Sequence, residues 1–133
     1  MSPKISIMLI DDNHIDLFIH TEFIKNMGIA HTVTEYAFAT EAIKYLEAND
    51  IEQWPQLILL DIHMPIMNGF EFLDKFLTLK TAFKEKCNII IVSSSLDTDD
   101  ISKGKNNPLV LDLLEKPINA AKLMQLLKNN NVI

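Results

Sequence analysis

Five side chains in this sequence combine types and positions that could do chemistry together: Asp11, Asp12, Asp61, Ser93 and Lys116. Each stands just past a short apolar run. Ile5 to Ile10 (ISIMLI) leads into Asp11-Asp12-Asn13, Leu57 to Leu60 (LILL) into Asp61, Asn88 to Val92 (NIIIV) into Ser93-Ser94-Ser95, and Leu109 to Leu114 (LVLDLL) into Glu115-Lys116-Pro117. Taken alone, Asp61 reads as readily as a helix N-cap or a loop carboxylate. Taken as a set, carboxylates brought close together repel, and one must keep its proton unless a cation intervenes. An oxygen-only cluster suits a hard divalent ion, and Mg²⁺ commonly uses one or two carboxylates while keeping several waters. Magnesium is therefore the expected ion. A carboxylate, a magnesium ion, a hydroxyl and a lysine make a site for phosphoryl transfer, where catalysis is mainly positioning and charge stabilisation. Asp61 would attack phosphorus and become an acyl phosphate. Mg²⁺ and Lys116 would neutralise the accumulating charge, and Ser93 would donate to a phosphate oxygen.

For these residues to meet, the runs before them must be neighbouring strands. Leu57 to Leu60 lies between Pro55 and Pro65 with no polar interruption, which reads as a strand buried on both faces of a parallel sheet. In open α/β sheets ligands bind at the carboxyl ends of the strands, where Asp61 falls. From His14 to Met27, Ile15, Ile19 and Phe23, and Leu17 with Ile24, recur at helical spacing, and Gly28 suits a left-handed helix C-terminus. His31 to Ala37 mixes Thr, Val and Tyr with polar residues, as an edge strand does. A helix from Thr40 to about Ala48 carries Ala42, Ile43 and Leu46, and Trp54 is expected to pack in the following loop. After Gly69 a helix to about Lys80 presents Phe70, Leu73, Phe76 and Leu77. Asp97, Asp99 and Asp100 crowd the start of a short helix expected to end at Gly104, favouring the positive end of its dipole. Asp112 marks Leu109 to Leu114 as an edge strand, and a last helix, about Asn119 to Lys128, carries Ala120, Leu123, Met124 and Leu127, with Leu126 off the stripe.

Five strands alternating with five helices predict right-handed crossovers and a parallel sheet between helical layers. Polar second and fifth strands and apolar first, third and fourth strands fit the flavodoxin-like doubly wound (βα)5 fold, strand order 2-1-3-4-5. That order puts the carboxyl ends of the first, third, fourth and fifth strands on one rim.

Composition narrows the class. The 133 residues fit a single domain, 1–133, and 48% hydrophobic residues with mean hydropathy +0.12 rule against disorder. No apolar run approaches the roughly 20 residues of a membrane span, and the start lacks the apolar core of a signal peptide. A cytoplasmic protein is expected. A net charge of −6 leaves no electrostatic footprint for nucleic acid. The one cysteine, Cys87, excludes a disulfide framework and a cysteine-based metal site within the chain.

The acid pair after the first strand, the Asp61 strand end with Met64-Pro65 and Gly69, Ser93 after the fourth strand and Lys116-Pro117 after the fifth, in this order and spacing, resemble the receiver domain of bacterial response regulators. The resemblance covers essentially the whole chain. It implies a phosphoacceptor signalling protein and not a turnover enzyme: Asp61 is fed by a sensor histidine kinase or a histidine phosphotransfer protein. Asp12, Asp61 and the backbone carbonyl of His63 hold Mg²⁺, with Asp11 acting mostly through water, and Ser93 and Lys116 read the phosphoryl group. In this family phosphorylation biases the face of the fourth helix, fifth strand and fifth helix. A stand-alone receiver without an attached output domain is expected, a monomer or weak dimer, whose output is a downstream effector protein or a phosphorelay step. Leu126 and the Leu109 to Leu113 edge are the candidate contacts. His63 and Ser95 occupy positions that influence the lifetime of the acyl phosphate. A His63 side chain acting as a metal ligand would want a second histidine or cysteine beside it.

Two departures stand out: Leu113 replaces the usual aromatic residue three positions before the lysine, and Gly104 to Pro108 (GKNNP) implies a short or irregular fourth helix. Two other readings share the residues. A haloacid-dehalogenase-type phosphatase would need a second aspartate two positions after Asp61, where His63 stands, and a phosphorylation-independent receiver-like module would need no intact acid set.

Overall fold

A computed structural model describes residues 4–79 and 87–133. Strands β1 (Ile5–Ile10), β2 (Ala30–Tyr36), β3 (Leu57–Leu60), β4 (Asn88–Ser93) and β5 (Val110–Glu115) form one sheet in the order β2-β1-β3-β4-β5, every pairing parallel. Among the described residues, helices α1 (His14–Met27), α2 (Ala39–Ala48), α3 (Gly69–Leu77), α4 (Thr98–Asn106) and α5 (Ala120–Asn129) connect and follow them. This is the flavodoxin-like arrangement.

Side chains alternate across each strand, so the apolar runs feed two cores. Met8, Ile10, Ile58, Leu60, Ile89 and Ile91 pack with residues of α2 and α3. Ile7, Leu9, Leu57, Leu59, Ile90 and Val92 pack with residues of α1 and α5. Burial on both faces is why the three central strands carry almost no polar residue. Trp54 is buried in its loop, its indole N–H donating to the Leu46 carbonyl at 3.0 Å. Cys87 is buried, and burial pushes its thiol up.

Four local expectations need correcting. In α1 the inward face is Leu17, His20, Thr21 and Ile24, whereas Ile15 is 70% and Phe18 66% exposed, with Ile19 and Phe23 exposed as well. Both sets have helical spacing, so periodicity could not choose between them; the rotation is fixed by long-range contacts described below. In α3 the buried set is Gly69, Phe72, Leu73 and Phe76, and Leu77 is exposed. That helix ends at Leu77 with Thr78 as its cap, short of the expected end near Lys80, a residue that lies outside the described ones. Helix α4 does not stop at Gly104 but continues to Asn106, with Asp97 and Asp100 forming a capping box at its start. Leu126 is half-buried and packs against the α1–α5 core, not free as an off-stripe residue would be.

Candidate functional site

The sheet's hydrogen-bond ladder continues past the strand ends and carries the acids with it. The Asp61 N–H donates to the Ile10 carbonyl at 2.9 Å, the Asp11 N–H to the Tyr36 carbonyl at 3.0 Å, and the Lys116 N–H to the Ser93 carbonyl at 2.9 Å. Carboxylate oxygens of Asp11, Asp12 and Asp61 consequently lie within 4.8 Å of one another. Asp11 and Asp61 are buried and Asp12 is more open.

The two buried carboxylates divide their oxygens in the same way. Asp11 Oδ1 accepts from the Asn13 N–H at 2.9 Å, and Asp61 Oδ1 accepts from the His63 N–H at 3.2 Å. These local bonds are Asx turns, which fix the side chain to its own loop. The Oδ2 atoms turn to one ammonium: Lys116 Nζ stands 2.6 Å from Asp11 Oδ2 and 3.3 Å from Asp61 Oδ2.

A third carboxylate, absent from the expected set, completes the shell of the lysine. Asp16 Oδ2 accepts from Lys116 Nζ at 2.9 Å. Asn13 caps α1, its side chain accepting from the N–H groups of Ile15 and Asp16, so the first helical turn is held with Asp16 facing the rim. An acid in a first helical turn has an ordinary reason to be there, the helix dipole, and that reason conceals this one. The signal was present, since α1 follows directly on the Asp11-Asp12 pair.

Burial alone would lower the proton affinity of Lys116, but the bonds to Asp11 and Asp16 and the charges of Asp11 and Asp61 outweigh it and raise the value well above that of a free lysine. Burial raises the Asp11 carboxyl above its usual range, opposed by its bonds to Lys116 and Asn13. The ammonium is thus charged, and carboxylates outnumber it.

Ser93 is fully buried; its hydroxyl lies 3.3 Å from both the Ser95 carbonyl and the Ser95 N–H. The His63 ring turns toward the loop after β4, Nε2 donating to the Ser95 carbonyl at 2.9 Å and lying 3.5 Å from Asp100 Oδ2. Leu113 packs on α4, against Gly104.

An oxygen-only set of three carboxylates suits a hard divalent cation, while the neighbouring lysine and hydroxyl suit an anionic group beside it. No helix among the described residues is long and apolar enough to cross a membrane.

Residues 7–128 match the family model described as "Response regulator receiver domain". A two-component response regulator from Cytophaga hutchinsonii is similar in structure, with a TM-score of 0.86, 33% identity and 97% of each chain covered. A response regulator receiver protein from Dyadobacter fermentans has a TM-score of 0.85 at 31% identity, covering 93% of this chain and 95% of that one. In sequence, a protein-glutamate methylesterase/protein-glutamine glutaminase from Pseudomonas savastanoi pv. phaseolicola is 26% identical over 127 residues, which are 91% of this chain and 32% of that protein. The chain spans about a third of the length of that relative.

Proposed function

Because the chain belongs to the response regulator receiver family, a family of signalling proteins and not of turnover enzymes, we propose that Asp61 is the phosphoacceptor of a two-component system or phosphorelay. One observation carries this reading: Asp61 and Asp11 each direct one oxygen to Lys116, in a cluster with Asp12 whose carboxylate oxygens lie within 4.8 Å. A carboxylate oxygen of Asp61 attacks the phosphorus of a phosphohistidine on a sensor kinase or phosphotransfer protein. The new P–O bond forms as the P–N bond breaks, and the imidazole leaves with the electron pair.

Asp12, Asp61 and the His63 carbonyl would hold Mg²⁺, with Asp11 acting through water. The ion would supply charge neutralisation at the transferring phosphoryl oxygens. Lys116 neutralises the same charge, within reach of Asp61 because the Lys116 N–H is tied to the Ser93 carbonyl. Ser93 donates its hydroxyl to a phosphoryl oxygen, giving up its contact with Ser95. His63, tied to the Ser95 carbonyl, influences how long the acyl phosphate survives. The switched surface is α4, β5 and α5, read by a downstream effector protein in the cytoplasm. The exposed Ile15, Phe18 and Ile19 offer the phosphodonor an apolar landing beside the rim.

Acetyl phosphate with Mg²⁺ should label the wild type, read as a mass gain of one phosphoryl group, and should leave Asp61→Asn unlabelled. A wild type unlabelled by acetyl phosphate and by a cognate kinase would favour a phosphorylation-independent module instead. Turnover of a small phosphomonoester would revive the phosphatase reading.

A further inference from the structure

We infer that Asp16 is a positioning residue for Lys116: it gives the ammonium a place to stay when a divalent cation draws on Asp61 directly and on Asp11 through water. The inference rests on the phosphoacceptor reading above and adds to it a residue outside the acid, hydroxyl and lysine set. In the structure the three protons of Lys116 are shared among three carboxylates, at 2.6 Å (Asp11), 2.9 Å (Asp16) and 3.3 Å (Asp61). Two of those partners belong to the acid cluster, and Asp16 does not. A cation entering the cluster competes with the ammonium for Asp11 and Asp61. Without Asp16 the lysine side chain, 8% exposed, would lose most of its acceptors as the cation entered and would hold the carboxylates against it. With Asp16 one ionic hydrogen bond persists throughout, so the ammonium stays at the rim, ready for the phosphoryl oxygens. Asn13 makes this place a fixed one, because it binds the backbone N–H of Asp16. Asp16 also leans on Lys116 from α1, a hundred residues away in sequence, so the device ties the first helix to the fifth strand end.

The test is a double-mutant cycle on Mg²⁺ affinity, measured by isothermal titration calorimetry on the full chain. Asp16→Ala should weaken Mg²⁺ binding by about threefold to tenfold, the net contribution of one ordinary hydrogen bond, because the effect reaches the ion only through Lys116. In a Lys116→Ala background the same change should cost less than about twofold, because the competing ammonium is gone. Equal weakening in both backgrounds would show that Asp16 acts only as a nearby negative charge, and no weakening in either would show that it does not act on the cation site; each result overturns the inference. Should Asp16→Ala fail to fold, Asp16→Asn, which keeps the volume and removes the charge, carries the same cycle. A wild type that neither binds Mg²⁺ nor labels with acetyl phosphate overturns the phosphoacceptor reading itself, whereas a wild type that does both with an unaltered Asp16 variant overturns this inference alone.

Discussion

Gly104 of α4 lies directly beneath Leu113 of β5: a Cβ at position 104 would stand 2.7 Å from Leu113 Cδ2 and 3.0 Å from Cδ1 and Cγ. The glycine that looked like a helix stop is a helix interior residue kept small by its neighbour. Helix propensity favours Ala over Gly by about 1 kcal/mol, and here the space for that methyl belongs to Leu113. In wild type, Gly104→Ala should bring no gain in stability. With Leu113→Ala also present, Gly104→Ala should stabilise by about 1 kcal/mol. Urea unfolding of the four proteins measures the coupling, and equal effects of Gly104→Ala in both backgrounds would refute it.

Lys116 is the buried counter-charge of Asp11 and Asp61, with Asp16 beside them. Removing one partner of a buried ion pair leaves the others uncompensated, at a cost of roughly 3 kcal/mol. Lys116→Ala should therefore lose about that much stability in EDTA and recover part of it in Mg²⁺, whose binding becomes tighter once the ammonium is absent. For the wild type, Mg²⁺ at about a hundred times its dissociation constant should add about 2.7 kcal/mol. Thermal melts with and without EDTA test both statements; a Lys116→Ala protein indifferent to Mg²⁺ would count against the acid cluster as a cation site.

His20 is buried on the inner face of α1, and its Nε2 accepts from the Ile118 N–H at 3.4 Å. Burial pushes its proton affinity below the usual histidine value of 6.5, with Asp16 and Asp11 opposing and Lys116 assisting. Protonation also destroys the acceptor. A depressed value means stability present above pH 6.5 and lost as pH falls through the folded value. Unfolding by urea at pH 7.5 and 5.5 should show this loss in the wild type and a smaller loss in His20→Gln, which retains an acceptor and cannot titrate. Identical slopes would exclude His20 as the source.

Ile66, in the loop after Asp61, has φ 69° and is 80% exposed. A β-branched residue in the left-handed region costs about 1–2 kcal/mol, and little burial offsets it here. Ile66→Gly should relieve that strain and raise the unfolding midpoint, despite the added backbone entropy of glycine in the unfolded chain. If Ile66 also contributes to the donor surface, the same variant will accept phosphate from acetyl phosphate normally and from a kinase more slowly. A variant less stable than wild type would show that the loop is not strained at this residue.

The sequence by itself determined the sheet and the rim. The unbroken apolar run Leu57–Leu60 and the nearly all-apolar runs Ile5–Ile10 and Asn88–Val92 read as strands covered on both faces, and polar Ala30–Tyr36 and Val110–Glu115 fall at the edges. Once that order is fixed, the residues following the strands must share one end of the sheet, which is why the Asp11, Asp12 and Asp61 cluster and the approach of Lys116 were legible. Which way the helices turn was not. Helix α1 has apolar residues on several sides, Ile15, Leu17, Phe18, Ile19, Phe23 and Ile24, so its pattern admits two inward faces. The choice belongs to the bond between Asp16 and a lysine a hundred residues away and to the packing of Leu17 and Ile24 in the core shared with α5. Gly104 beneath Leu113, and the His63 ring bonded to the Ser95 carbonyl, were settled in the same way. Local periodicity records that a face is buried, and only contacts between distant segments decide which one.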